Sequence, residues 1–229
     1  MSDRDSFLEA VRTGDQAQVS GMLAVSPELI ETRDETGVSA LLLAVYNGHP
    51  QIVEELLART DELDVWEAAA TGQVARAAEL VTANPELANA YAPDGFTPLG
   101  LAAFFGRLEV LALMLQSGAE VNAPSKNPMQ VRPLHSAVAH RDPDTALAMA
   151  NSLLARGAAV NVAQQGGWTP LHQAAAHGYT PIVELLLSHG ADPAAESEAG
   201  KTPLDMAREN GHGDVSVILE KALAHEEVE

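Results

Sequence analysis

The sequence contains no cysteine. Disulfides, thiolate metal sites and cysteine nucleophiles are therefore excluded, although the cellular compartment stays open. Aromatic residues make up only 4% of the 229 positions while Ala and Leu abound, a bias that disfavours a β-sandwich and favours closely stacked helices. Basic residues are also few. Thirteen Lys and Arg face 32 Asp and Glu, a net charge of −19, which opposes phosphate backbones because nonspecific nucleic-acid affinity comes from cationic side chains displacing counterions. No nucleic-acid partner is expected. No apolar run approaches the roughly 20 residues of a membrane span, and Phe7-Leu8 is cut off at once by Glu9, so neither a secretory hydrophobic segment nor a membrane partner is expected. The expectation is a cytoplasmic protein. A hydrophobic fraction of 46% is ample for a packed core.

What is present repeats. Thr169-Pro170-Leu171-His172-Gln173-Ala174 returns 33 residues later as Thr202-Pro203-Leu204-Asp205-Met206-Ala207, and periods of that size signal stacked units. Weaker copies begin at Arg132, Thr97 and Ser39. Thr supplies an N-cap hydroxyl, and Pro sits at the first helical position, where its missing N–H removes nothing. Leu and Ala then make an apolar face, and Gly48, Gly106, Gly178 and Gly211 stop the helix by accepting a left-handed conformation. A second helix follows, as in Ile182-Val183 and Leu185-Leu186-Leu187, and closes at Gly118, Gly157 or Gly190. Two further units keep the rhythm without the motif, around Gly14 and Gly72.

This pattern resembles the ankyrin-repeat family over nearly the whole chain. The fold expected is an all-α repeat solenoid of stacked helix-turn-helix ankyrin-type units, about seven including caps, spanning residues 1–224 and leaving 225–229 as an acidic tail. Polar-faced terminal caps are expected because end units lack one neighbour, and Asp205, Arg208, Glu209 and Asn210 fit that role. The resemblance further implies short β-hairpin fingers between units. It also implies that His135 and His172 bridge backbone and Thr groups, and that Asn122 and Asn161 match a finger Asn hydroxylated in some ankyrin-like proteins.

Catalytic chemistry finds little support. No P-loop, G-x-S-x-G elbow or G-x-G-x-x-G is present, and His172 and His177 are five apart rather than four, so no H-E-x-x-H site exists. Acidic pairs such as Asp142 and Asp144 arise by chance among 32 carboxylates and fit a solvated face. The expectation is a non-enzyme without cofactor or bound metal.

Binding fits better. Ankyrin-like proteins bind through finger tips and the exposed face of the first helices, and the two residues before each first-helix Gly are their usual variable contacts. Here these positions include Tyr46, Phe104, Phe105 and His177, while the fingers add Tyr91, Phe96, Met129 and Trp168. Aromatic side chains dominate interface hot spots because they bury large areas at low entropy cost. Phe96 and Trp168 have a competing role as packing residues, and Trp66, inside a helical apolar stripe, reads as core.

The fifth unit, about residues 124–161, is odd. The interval from Arg132 to Gly157 is longer than those from Thr97 to Gly118 and from Thr169 to Gly190, which equal each other. Asp142-Pro143 offers a new N-cap, so a longer second helix is expected over 143–155. Residues 124–166 also carry a net +2 from Lys126, Arg132, Arg141 and Arg156 against Asp142 and Asp144. The long finger, with Lys126, Asn127, Met129, Gln130 and Arg132, is a candidate contact, since loops carry function more often than packed faces do. The leading expectation is a monomeric, non-catalytic protein-interaction module whose concave face and finger tips meet a protein of basic or mixed surface. One alternative is an acidic inhibitor, chaperone or nucleic-acid mimic that sequesters a basic protein. A second is a metal-binding or enzymatic function on the scaffold.

Overall fold

A computed structural model describes residues 2–60 and 62–226, with side chains through Ala224. Among the described residues the helices form seven antiparallel pairs. They are α1 (Asp3–Thr13) with α2 (Gln16–Val25), α3 (Ala40–Tyr46) with α4 (Pro50–Arg59), and α5 (Val65–Thr71) with α6 (Val74–Ala83). Then follow α7 (Pro98–Phe104) with α8 (Leu108–Gln116) and α9 (Pro133–Val138) with α10 (Pro143–Leu154). The series ends with α11 (Pro170–His177) paired to α12 (Thr180–Ser188), and α13 (Pro203–Glu209) to α14 (Gly213–Glu226). The first helices pack in an inner row, α1 through α13, and the second helices form an outer row that is weakest between α4 and α6. A helical repeat solenoid results.

Local chemistry places the starts and stops. Ser39, Thr97, Thr169 and Thr202 each accept a backbone N–H from three residues ahead, and Pro follows directly in the last three. Arg132 has no oxygen to offer, so α9 starts without that cap. The second helix of the fifth unit is capped by Asp142, which accepts the Thr145 N–H at 2.9 Å, and its 12 residues exceed the nine or ten of the second helices in the other non-terminal units. The core is a continuous stack in which Leu99, Ala103, Leu111, Met114, Met149 and Leu186 are fully buried. Small alanines such as Ala69, Ala102 and Ala174, each at 0% exposure, let adjacent helices approach closely.

Two side-chain ladders join the units. Asn89, Asn122 and Asn161 each donate to the carbonyl of the glycine ending the next unit, Gly118, Gly157 or Gly190, and accept an N–H two residues beyond it. The amides of Asn122 and Asn161 are therefore engaged. On the other side, His49, Arg107 and His212 reach back to the carbonyls of Arg12, Ala70 and Ala176, satisfying acceptors that a helix end leaves open.

Three features differ from the sequence expectations. The fingers are tight turns closed by short backbone hydrogen bonds, for example from the Ala92 N–H to the Phe96 carbonyl and from the Gly95 N–H to the Ala92 carbonyl, both 2.8 Å. Among the described residues only Arg33 and Ser39 form a β-bridge, because the fingers are too short for a ladder. The terminal units are not wholly polar: Val25 on α2 is 84% exposed and Val217 on α14 is 49% exposed. Finally, α14 runs to Glu226, so the backbone of the first two residues of the expected tail continues that helix, while 227–229 lie outside the described residues.

One departure was not anticipated from the sequence. Only residues 60–64 separate α4 from α5, so the third unit has no finger in front of it. Its spacing shows this: the interval from Gly48 to Gly72 is much shorter than that from Gly72 to Gly106. The cause is a longer internal period. Gly14, Pro27, Gly37 and Gly48 recur at one constant offset as Gly72, Pro85, Gly95 and Gly106, so the third unit copies the first. The fingers on either side close the gap, and a Cβ on Gly37 would lie 3.2 Å from Pro93.

Candidate functional site

The missing finger gathers aromatic rings. Tyr46 ends α3, Phe104 ends α7, Phe105 caps it, and Phe96 precedes its N-cap Thr97. Between α3 and α7, the equivalent positions of α5 are the small residues Ala70 and Thr71. Across them the Tyr46 and Phe105 rings meet at 5.3 Å between centroids, Phe104 stands edge-on to Phe105 at 5.0 Å, and Phe96 lies 6.2 Å from Phe104. Offset and edge-to-face arrangements of this kind add to the area buried. Phe104 remains 44% exposed at the surface of the cluster, whereas Tyr46, Phe96 and Phe105 are half-buried.

A carboxylate is fixed beside these rings. The Tyr46 hydroxyl donates to Asp94 Oδ2 at 2.5 Å, and the Phe96 N–H donates to Oδ1 at 3.1 Å. Burial, reinforced by this hydrogen bond and the adjacent negative charge, pushes the Tyr46 phenol well above its ordinary range. Both donors to Asp94 are neutral, and among the described residues the carboxylate has no ion-pair partner. Sequence reasoning missed Asp94, since an acid in a Pro-Asp-Gly turn is unremarkable in itself.

The other candidates lie elsewhere and are largely engaged within the chain. Lys126 places its ammonium 3.9 Å from the centroid of the Tyr91 ring, so these two satisfy each other. Arg132 donates to the Ala163 carbonyl at 3.3 Å, and Arg156, also in the basic band, donates to Leu115 at 2.7 Å. Met129 is 50% exposed and its carbonyl accepts from Gln165 of the next finger. Trp168 is half-buried, 6.2 Å from the His172 ring, and His177 stacks on Tyr179 at 5.1 Å. Trp66 packs against the core and donates to Ala90 at 3.0 Å.

His172, like His49 and His212, serves structure. His172 Nδ1 accepts from the Thr169 hydroxyl at 2.8 Å while Nε2 faces the Lys201 carbonyl at 2.9 Å. His135 accepts the Arg132 N–H at a long 3.4 Å, and its Nε2 makes no well-formed hydrogen bond among the described residues, only weak approaches to the backbone of Val162 and Trp168. Burial lowers its pKa to about 4, leaving it neutral at physiological pH. Among the described residues no three His, Asp or Glu side chains converge as metal ligands, and no helix is long and apolar enough to cross a membrane.

Comparison with known proteins agrees with this architecture. Models of ankyrin repeats match residues 36–65, 94–126 and 134–226. Among similar curated proteins, the B-cell lymphoma 3 protein homolog of Mus musculus is 32% identical over 115 residues, which cover 50% of this chain and 25% of that protein. The ankyrin repeat and SOCS box protein 16 of Mus musculus is 39% identical over 115 residues, 48% of this chain and 25% of that one. The 2-5A-dependent ribonuclease of Homo sapiens is 45% identical over 75 residues, 32% of this chain and 10% of that one. The matched segments thus span a quarter or less of these relatives.

Proposed function

Since the chain belongs to the ankyrin-repeat family, whose repeats generally mediate protein–protein interaction, we propose that it is a non-catalytic, monomeric docking module of the cytoplasm. Its contact surface centres on Tyr46, Phe96, Phe104 and Phe105 and takes a partner protein of basic or mixed surface, not nucleic acid. One observation carries the proposal: a ring 44% exposed stands on a cluster holding four of the nine aromatic residues in the chain. An exposed aromatic backed by packed rings is preorganised, so little side-chain entropy is lost when it is covered. Met129 extends the surface along the fingers.

The test compares capture from an extract of the native source by the wild-type chain and by Phe104→Ala, at low and at high salt. A partner retained at high salt by the wild type and lost by Phe104→Ala is expected. Retention unaffected by the substitution overturns the proposal. Retention that collapses with salt for both chains instead supports the acidic sequestration alternative, for which the charge of −19 is the motivating observation.

A further inference from the structure

We propose that the aromatic surface receives a basic side chain, an arginine flanked by an apolar residue in an exposed peptide segment of the partner. This rests on the docking function proposed above and specifies its chemistry. The first ground is the carboxylate. Asp94 is held by the Tyr46 hydroxyl and the Phe96 N–H, both neutral donors, so it is oriented while its charge is left uncancelled. Lys126 on the adjoining finger does not supply the missing cation, because its ammonium lies over Tyr91.

The second ground is what surrounds that charge. The faces of aromatic rings carry negative quadrupole potential and attract cations, most strongly where water is displaced. Half-exposed Phe104 lies 6.4 Å from Tyr46 and 6.2 Å from Phe96. An arginine suits this combination better than a lysine, for its planar guanidinium stacks on a ring while its fork of N–H groups meets a carboxylate. A wholly apolar partner would strip water from Asp94 with nothing in return, and an acidic one would be repelled. An apolar residue beside the arginine covers the remaining ring surface. The net charge of −19 steers a basic segment toward the chain.

Random peptides displayed on phage and selected against the full chain test the proposal. The expected consensus pairs an Arg with a neighbouring large apolar residue. A synthetic consensus peptide should bind the wild type roughly tenfold more tightly than it binds Asp94→Asn, and Phe104→Ala should weaken it by a similar factor. In Asp94→Asn the amide oxygen still accepts the Phe96 N–H while the amide N–H donates to the Tyr46 hydroxyl oxygen, so the turn is kept. Replacing the peptide's Arg with Gln should cost more than Asp94→Asn alone, because the ring contact is lost too, and should cost less against Asp94→Asn than against the wild type, as a double-mutant cycle requires for a direct pair. A consensus without a cation that still depends on Phe104 overturns the arginine inference and leaves the docking surface standing. Peptides indifferent to Phe104→Ala, or no enrichment above that variant, overturn both.

Discussion

The third and fifth units depart from the common repeat in opposite directions. The third is short, having no finger before α5, and the fifth is long, with an extended finger and a 12-residue second helix. The extra length is mostly absorbed internally, through Asp142 capping α10, Arg132 bonding Ala163, and the Gln165 N–H bonding Met129. The deletion brings separate elements together: Gly37 comes against Pro93, and Tyr46 meets Phe105 and Asp94. Removing a spacer can thus create a surface that adding residues does not, since it shortens the distance between elements with fixed geometry.

The two units also differ in how their helices begin. In the third, Asp64 and Glu67 form a reciprocal capping box, and the Arg33 guanidinium donates to Asp64 at 3.1 Å and to the Gly37 carbonyl at 3.2 Å. In the fifth, Arg132 stands where Thr is usual, and Nε2 of the buried His135 makes no well-formed hydrogen bond among the described residues.

The largest predicted effect lies in the fifth unit. An unfolded chain binds a proton on His135 below pH about 6.5, whereas the folded chain holds that imidazole neutral down to about 4. Protonation therefore favours unfolding as pH falls through this window, by up to about 3 kcal/mol. Urea unfolding across the same range should show a steeper loss of stability for the wild type than for His135→Gln, the carboxylates being common to both. Parallel slopes would mean that His135 is accessible in the folded chain.

Second in size is the aromatic cluster beside the third unit. Phe105→Ala should cost about 2 kcal/mol, less than the 3–5 typical of fully buried rings because Phe105 is half-buried. Thermal unfolding measures this. Ultraviolet titration adds a local check: one of three tyrosines should resist ionisation in the wild type and titrate earlier in Asp94→Asn, as Tyr46 is raised partly by that carboxylate. Three tyrosines titrating together in the wild type would contradict the Tyr46–Asp94 contact. Next comes Arg33→Leu. It should lower stability by about 1 kcal/mol, modest because an ion pair on a partly exposed side chain is screened, and the difference should shrink as salt is added.

Much of this architecture was legible in the sequence because its determinants are local. Thr, Pro and Gly in the motif act on the residues within one helical turn, so the starts of α7, α11 and α13 and the stop at Gly178 followed directly. Asp142 as a new N-cap was equally local. The union of Tyr46, Phe96, Phe104 and Phe105 was not, since it depends on the distance across a unit that lacks a finger. The shortened interval between Gly48 and Gly72 was its available signal. Lys126 and Tyr91 were singled out separately as contacts, yet they meet each other, a pairing that follows from finger stacking rather than from spacing along the chain.

The smallest effect tests whether the fifth unit can be returned to the common pattern. Arg132→Thr removes an arginine hydrogen bond to Ala163 that is long, at 3.3 Å, and exposed, so little is lost. The new hydroxyl gains an N–H to cap at the start of α9. It also lies where Thr169 meets His172 at 2.8 Å, giving His135 Nδ1 a stronger donor than a backbone N–H at 3.4 Å. A gain of about 0.5–1 kcal/mol should follow, raising the melting temperature by roughly 1–4 °C for a chain of this size. A fall would show that Arg132 holds the long finger more strongly than its single contact implies, and that the fifth unit's added length has become part of its support.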